Sequence, residues 1–412
     1  MSAVIQAQAA RLPAWSLFGA VLSGAGLPIY IYAPKFYADN FGINLTLLGA
    51  VLFGLRLFDV VQDPVLGWVS ERLGKLRRLA VWFAGLVLAA SMYGLFAIEP
   101  PIGAVWWFGL TITGLFTAFS FMSINFYAEG VTKASSMNDG HTRLAAWRET
   151  GALLGVCLAA VAPSVLEPVV DAPFAIFAVS FGLFVLAALI WMTPEWTGGG
   201  TQDPTPIRAI LNDTVAKRLL ILALVNATPV AVSSTLFLFY VESRLDAPGW
   251  EGPLLVLFFF AAAASSPFWA RLSDRVGPKR ALLSAMVLAI LFYACVLALG
   301  AGDVWLFAII CVLSGATIGA DLTLLPAMFA RRMAQVSPNG GQGFGLWSLV
   351  SKFTLAFAAA VLLPILQLAG FTSGATNNPE TALSTLTYLY ALVPCILKLV
   401  AIGLLAATPL ED

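Results

Sequence analysis

Residues 67–78 read GWVSERLGKLRR, and residues 270–280 read ARLSDRVGPKR. Superposing Glu71 on Asp274 also superposes Arg72 on Arg275 and Gly74 on Gly277, a shift of 203 positions in a chain of 412. Each copy separates two long apolar runs, so each reads as a tight turn between helices. The glycine permits the turn, and the acid can receive helix N-terminal amides and basic side chains from neighbouring helices. Two copies at half-chain spacing mark a duplicated plan. Gly67, Glu71, Arg72, Gly74, Asp274, Arg275 and Gly277 are therefore read as one conformational loop device used twice.

Working outward from these turns, apolar runs long enough to cross a bilayer, about 20 residues, recur near 15–37, 45–69, 79–98, 103–127, 146–166, 173–193, 218–240, 252–272, 281–300, 304–328, 346–369 and 383–407. With 60% hydrophobic and only 11% charged residues, the chain is read as an all-α integral membrane protein of twelve transmembrane helices. The longest polar stretch, TPEWTGGGTQDPTPIRAILNDTVAKR at 193–218, divides the spans six and six. The expected organisation is a six-helix bundle over 1–193, a cytoplasmic linker over 194–217 and a second bundle over 218–412.

Placing the N-terminus inside puts Arg11, Arg72, Lys75, Arg77, Arg78, Lys133, Arg143, Arg208, Lys217, Arg218, Arg271, Arg275, Lys279, Arg280, Arg331 and Arg332 in the cytoplasm, and leaves only Lys35 and Arg244 outside. Cytoplasmic loops retain Lys and Arg, so both termini are expected inside. The expected home is the cytoplasmic (inner) membrane of a bacterium, with the chain working as a monomer in the lipid bilayer. The stretch MSAVIQAQAARLPAW lacks the charged start and cleavage site of a secretory signal, so the first apolar run is expected to stay as a helix.

Several classes fall away. The 22 basic and 22 acidic residues cancel, which argues against nucleic acid, and neither a zinc-like ligand cluster nor a nucleophile–base pair supports a metal centre or an enzyme. Cys157, Cys295, Cys311 and Cys395 all lie in apolar runs and read as small hydrophobes. PNGGQGFG at 338–345 lacks the Lys-Ser/Thr ending of a phosphate loop and reads as a flexible joint before the eleventh span. His141, in SSMNDGHTR, reads as solvated. No cofactor is expected.

What remains is a set of charges inside the spans: Arg56, Arg148, Lys352 and Lys398, with Asp59, Asp63, Glu149 and Asp321. Each costs roughly 2.5–3.5 kcal/mol near the bilayer centre on insertion scales, so such residues line cavities or pair with one another. Asp59 and Asp63, spaced i and i+4, share one helix face. Two carboxylates that close disfavour joint ionisation, so one holds a proton unless a cation neutralises the pair. That is what a Na⁺ or H⁺ coupling site requires, with Arg56 on the same side. The repeat sharpens the point: the 203-residue shift sets Pro64 on Pro267, but Asp63 on Ser266, Asp59 on Ala262 and Arg56 on Phe259. The second half keeps the proline and drops every charge, so the fold itself does not need them.

The acid–Arg–x–Gly–basic turn resembles the cytoplasmic-loop signature of the major facilitator superfamily, and the resemblance implies two six-helix bundles with substrate held near the midplane between them. LRLFDVVQDPVLGW resembles the second helix of the glycoside–pentoside–hexuronide:cation symporter family. LAAWRETGALLG and SLVSKFTLAFAAA look like that family's fifth and eleventh helices. The resemblance implies that Asp59 and Asp63 bind the coupling cation and that Arg148 and Lys352 face the same cavity, with Lys352 making a charge contact that forms or breaks during transport. Sugar-carrying members have an acid early in helix one and a third cation-site acid in helix four; here those positions are Ser23 and Ser123. The cavity is thereby less anionic, which favours an organic anion or amphipathic solute over a sugar, and H⁺ over Na⁺. Asn125, Tyr127 and Trp347 are further candidates for substrate contact, against a blander role in packing. The expected activity is cation-coupled transport of a small organic solute by alternating access. A flippase for a lysolipid or other anionic amphiphile, and a non-transporting membrane sensor, are the alternatives.

Overall fold

The computed structural model describes residues 11–26, 32–43, 45–135, 137, 140–167, 169–196, 206–337, 340–371 and 378–409. Among them the regular elements are helices: α1 Leu12–Gly24, α2 Ala33–Phe41, α3 Leu45–Arg72, α4 Arg77–Ala97, α5 Ala104–Ser135, α6 Gly140–Leu166, α7 Pro173–Met192, α8 Ile207–Asn212, α9 Thr214–Phe239, α10 Glu251–Val276, α11 Pro278–Ala294, α12 Val304–Val336, α13 Gly341–Leu368, α14 Glu380–Thr387 and α15 Val393–Ala407. The expected spans fall on these helices singly or in pairs, the ninth, 281–300, running past α11 through a 3₁₀ turn at Cys295–Ala298. The first falls on α1 and α2, with 27–31 between them outside the described residues, and the twelfth on α14 and α15, joined by a π-helical turn at Tyr388–Leu392. Nine segments among the described residues are long and apolar enough to cross a membrane. Large apolar side chains such as Trp106, 78% exposed, face outwards, as suits hydrocarbon and not water. Pro64 in α3 and Pro267 in α10, the prolines matched by the repeat, both lie inside helices, which membrane packing tolerates.

The helices cluster into two compact units: Met1–Leu48, Val65–Ile210 and Ala330–Gly345 form one, and Gly49–Pro64, Leu211–Phe329 and Leu346–Asp412 the other. Most of the linker's glycine- and proline-rich part, 197–205, is outside the described residues.

In the first unit α1 and α6 meet through small residues. Cβ atoms built on Gly151 and Gly155 would fall on the backbone carbonyl oxygens of Ser16 and Ala20, and one on Gly19 would lie 2.7 Å from that of Arg148. Helices in lipid gain nothing from burying apolar surface, so backbone approach of this kind is what holds them. Glu195, just after α7, is buried at the end of the same bundle: it accepts from Trp15 Nε1 at 3.1 Å and the Arg11 amide at 3.2 Å, and pairs with Lys133 Nζ at 3.2 Å. The stretch read as the start of a linker therefore carries a packing hub.

The second unit repeats the device. Gly315 and Gly319 of α12 abut the carbonyl oxygens of Phe258 and Ala262 on α10, and Trp269 Nε1 donates to the Ala316 carbonyl at 2.7 Å. Tyr240 opens a π-helical turn after α9 and stacks on Tyr390 of the other π-helical turn, ring centroids 4.3 Å apart.

Candidate functional site

Asp63 is fully buried in α3. Its carboxylate accepts from Ser348 Oγ at 2.6 Å and from Lys352 Nζ at 3.0 Å, 285 and 289 residues further along the chain, all within the second unit. Ser348 and Lys352 stand i and i+4 on α13, which gives them one face. Lys352 is 11% exposed at its side chain. In this geometry Asp63 is neutralised by a lysine. A Na⁺ ion seated on it would have to displace that ammonium, whereas a proton would cancel the charge and loosen the lysine without any coordination shell. Arg56 and Asp59 lie on the same helix, and their side chains are outside the described residues. Trp347, half-buried, packs against Phe329 at 4.9 Å between ring centroids.

The first unit holds a second charged cluster. Arg148 is buried, donates from Nε to Glu149 Oε1 at 2.8 Å, and stacks its guanidinium 3.8 Å over the Tyr127 ring. The Tyr127 hydroxyl donates to the same carboxylate oxygen at 3.0 Å. Arg148 Nη2 has no protein partner among the described residues. Nη2 is enclosed as well as unpartnered, so its N–H groups are donors that a carboxylate or hydroxyl could take once the surrounding side chains move. Ser123, two residues before Asn125 on α5, and Ser23 near the end of α1 are both half-buried. Asn125 is fully buried and committed to protein: its Nδ2 donates to the Phe121 carbonyl at 2.7 Å and its Oδ1 accepts from Ser70 Oγ at 2.8 Å.

At the repeated turns, Gly74 and Gly277 have φ of +48° and +86°, backbone that glycine adopts without strain. Glu71 is buried and accepts the Gln342 amide at 2.8 Å, with Ser337 Oγ at 3.5 Å on the same oxygen, so its charge caps the N-terminus of α13. Gly67 and Gly341 touch backbone to backbone beside it: a Cβ on Gly67 would lie 2.7 Å from the Gly341 carbonyl oxygen. Of the joint expected over 338–345, 338–339 lie outside the described residues, 340–345 are buried, and Gly340 and Gly341 serve close approach. Arg72 is exposed and stacks on Trp68 at 3.9 Å. The buried cation at this turn is Arg77, which reaches Glu129 at 3.2 Å and the Ser70 carbonyl at 3.4 Å. Asp274 and Arg275 are exposed in the second copy. His141, expected to be solvated, is half-buried, with Nδ1 enclosed and without a partner among the described residues.

Replacing Glu71 by Ala removes the cap from α13 and is expected to lower stability by about 1–2 kcal/mol. Glu71→Gln keeps an acceptor and should retain at least half of that. Thermal midpoints of the purified variants in detergent provide the check.

Sequence reasoning missed Ser348, Glu149 as the anchor of Arg148, and the Arg77–Glu129 pair. Ser348 carried a signal, its i/i+4 relation to Lys352. Arg77 carried none that set it apart from the other loop cations.

The model of the family described as MFS/sugar transport protein matches residues 14–412. Raffinose permease of Escherichia coli is 30% identical over 118 residues, and melibiose permease of Enterobacter cloacae is 27% identical over 117. Each match covers 27% of this chain and 28% of the relative. In fold, the chain is similar to a bacterial homologue of the iron transporter ferroportin in an outward-facing state, with a TM-score of 0.71, 16% identity, and coverage of 96% of this chain and 99% of that one. The chain thus belongs to the MFS/sugar transport protein family, whose members are membrane transport proteins and not enzymes, and it is a multi-pass integral membrane protein of the major facilitator fold.

Proposed function

We propose that this protein is a cation-coupled secondary carrier that moves a small organic solute across a bacterial cytoplasmic membrane by symport and alternating access, acting as a monomer with both termini inside. The observation that carries the reading is Asp63: a fully buried carboxylate held by Lys352 and Ser348, in a helix whose repeat counterpart has Ser266. A buried ion pair is costly to keep and adds little net stability, and a fold that manages without it in α10 keeps it in α3 for another purpose. Protonation of Asp63 frees Lys352, and deprotonation recaptures it, which supplies a charge switch that a proton gradient can drive. With a lysine already on the carboxylate, H⁺ fits better than Na⁺.

Arg148, with Nη2 unpartnered among the described residues, Nε held by Glu149 and the guanidinium stacked on Tyr127, is the group we assign to the solute, which favours an anionic or hydroxylated one. The Glu71 cap on α13 and the Gly67–Gly341 approach form the seam that opens when the carrier turns inward. In this scheme the two sequence halves, 1–193 and 218–412, are the bodies that rock, with 194–217 as their linker.

The test is uptake by reconstituted proteoliposomes of α-galactosides, small organic anions and lysolipids, each under an imposed pH gradient and an imposed Na⁺ gradient. Accumulation of a galactoside or organic anion driven by the pH gradient is the expected result. Movement of lysolipid alone would replace the reading with that of a flippase, and binding without accumulation would make the chain a sensor.

A further inference from the structure

Three apolar spans of the second unit meet at their ends: Thr214–Arg244 and Pro278–Ala298 begin where Glu380–Ala407 finishes. The carbonyls of residues 404–408, at the end of α15, are all taken. Thr408 donates from Oγ1 to the Leu404 carbonyl at 2.7 Å and from its amide to that of Leu405 at 3.2 Å. The next three are held by cations from other helices. Lys279 Nζ, at the start of α11, donates to the Ala406 and Thr408 carbonyls at 3.0 and 2.8 Å, and Arg218 Nη1, near the start of α9, to that of Ala407 at 2.9 Å. Cations at a helix C-terminus satisfy its carbonyls and suit its dipole. That role leaves most of the guanidinium's donors and one of the ammonium's unspent.

Those remaining donors have no partner among the described residues. Lys217, beside Arg218, and Arg280, beside Lys279, are exposed and likewise carry no hydrogen bond or ion pair among the described residues. Asp213 and Asp274, the acids that precede α9 and α11, both have partners; Asp213 caps α9 by accepting the Ala216 amide at 2.7 Å. Four cations thus gather at one edge, two of them held in place by backbone. Further into the spans the surface turns apolar, with Ile221 of α9 43% exposed and Val400 of α15 49% exposed.

We infer that this edge is a binding site for an anionic phospholipid, its headgroup phosphate taken by Arg218 and Lys279 and an acyl chain lying along the outward face of Ile221 and Val400. A phosphate has several acceptor oxygens, which suits a guanidinium fork and an ammonium held on neighbouring carbonyls. Position decides for a lipid over a soluble anion: the cations stand where three spans reach the headgroup layer, with apolar surface directly beneath them. A headgroup that joins Arg218 to Lys279 also ties α9 and α11 to the end of α15. The site needs only a chain that spans a bilayer, so lipid preference and transport are separate readouts.

Native mass spectrometry of the purified protein in dodecyl maltoside, titrated separately with dioleoylphosphatidylglycerol and dioleoylphosphatidylcholine, counts the lipids that stay bound. The first phosphatidylglycerol should bind at about tenfold lower concentration than the first phosphatidylcholine. Arg218→Gln/Lys279→Gln leaves an N–H for the carbonyls, and Lys217→Gln/Arg280→Gln breaks no contact among the described residues. Each should cut the preference about fivefold, the scale of one basic side chain near an anionic headgroup. Lys75→Gln/Arg78→Gln, the same loss of charge at exposed positions of the first repeated turn, should leave it unchanged, and glycerol phosphate at the lipid's concentration should not displace the lipid. Equal binding of both lipids by the parent, a preference that survives in the two edge variants, an equal fall in the Lys75/Arg78 variant, or displacement by glycerol phosphate would each overturn the proposal. Lys217→Gln/Arg280→Gln decides by itself if Arg218→Gln/Lys279→Gln does not purify as a single species.

Discussion

Asp63→Asn proteoliposomes are expected to lose gradient-driven accumulation of solute, and the buried lysine left without its counter-charge should cost roughly 3–5 kcal/mol of stability besides. Asn keeps the size of Asp and an acceptor for Ser348 Oγ, which sits 2.6 Å from the carboxylate, but it can neither hold a negative charge nor take up a proton. Lys352 is left a buried ammonium facing a neutral partner. Solute exchange down no gradient should persist, because Arg148 and its braces are untouched. Since the unpaired lysine is itself destabilising, Asp63→Asn/Lys352→Met is the companion variant: it should restore a thermal midpoint near that of the parent while leaving accumulation absent. Recovery of accumulation in the double variant would mean that Asp63 acts only as a structural counter-charge.

Gly155→Val is expected to have the largest effect on folding. A Cβ at this position would fall on the Ala20 carbonyl, backbone against backbone, and the neighbouring seam position Gly151 is set against Ser16 in the same way. Neither partner is the free end of a side chain that could swing aside, so the two helices must separate, at a cost of about 3 kcal/mol or more, the upper end of what overpacking usually takes. Because close packing is a main term that holds helices together in lipid, the expected outcome is a loss of monodisperse protein on size-exclusion chromatography in detergent. Gly403→Ala on α15, where an added Cβ meets open space, should be neutral or gain up to about 1 kcal/mol from helix propensity. A Gly155→Val protein with the parent's thermal midpoint would show that the seam is not what joins these helices.

These two sites differ in how far the sequence announced them. Asp63 was conspicuous because a carboxylate in an apolar run is expensive, because Asp59 stands one turn before it, and because Ser266 takes its place in the repeat. The helices were legible for the same reason: bilayer thickness imposes a length that composition alone betrays, and the turn glycines Gly74 and Gly277 were recognisable by their spacing. What the sequence withheld was partners. Ser348 and Lys352 meet Asp63 across 285 and 289 positions, and no local pattern encodes such a meeting. Loop cations looked alike, so the burial of Arg77 and the exposure of Arg72 depend on where Glu129 and Trp68 happen to pack. Glycines misled most. In PNGGQGFG they suggested mobility, yet Gly340 and Gly341 are buried where backbones touch, because the same missing Cβ permits either freedom or close approach. Glu195 was hidden by its neighbours: a stretch rich in Gly, Pro and Thr reads as linker, although its first residues finish the packing of α1 and α5.

If Asp63 carries the coupling ion, protons must enter with solute. External pH is followed while a solute found to be taken up by the parent protein enters de-energised proteoliposomes down its own gradient. The parent protein should alkalinise the medium as solute enters, and Asp63→Asn should admit solute with no change in pH. Alkalinisation of equal size in both proteins would contradict the account.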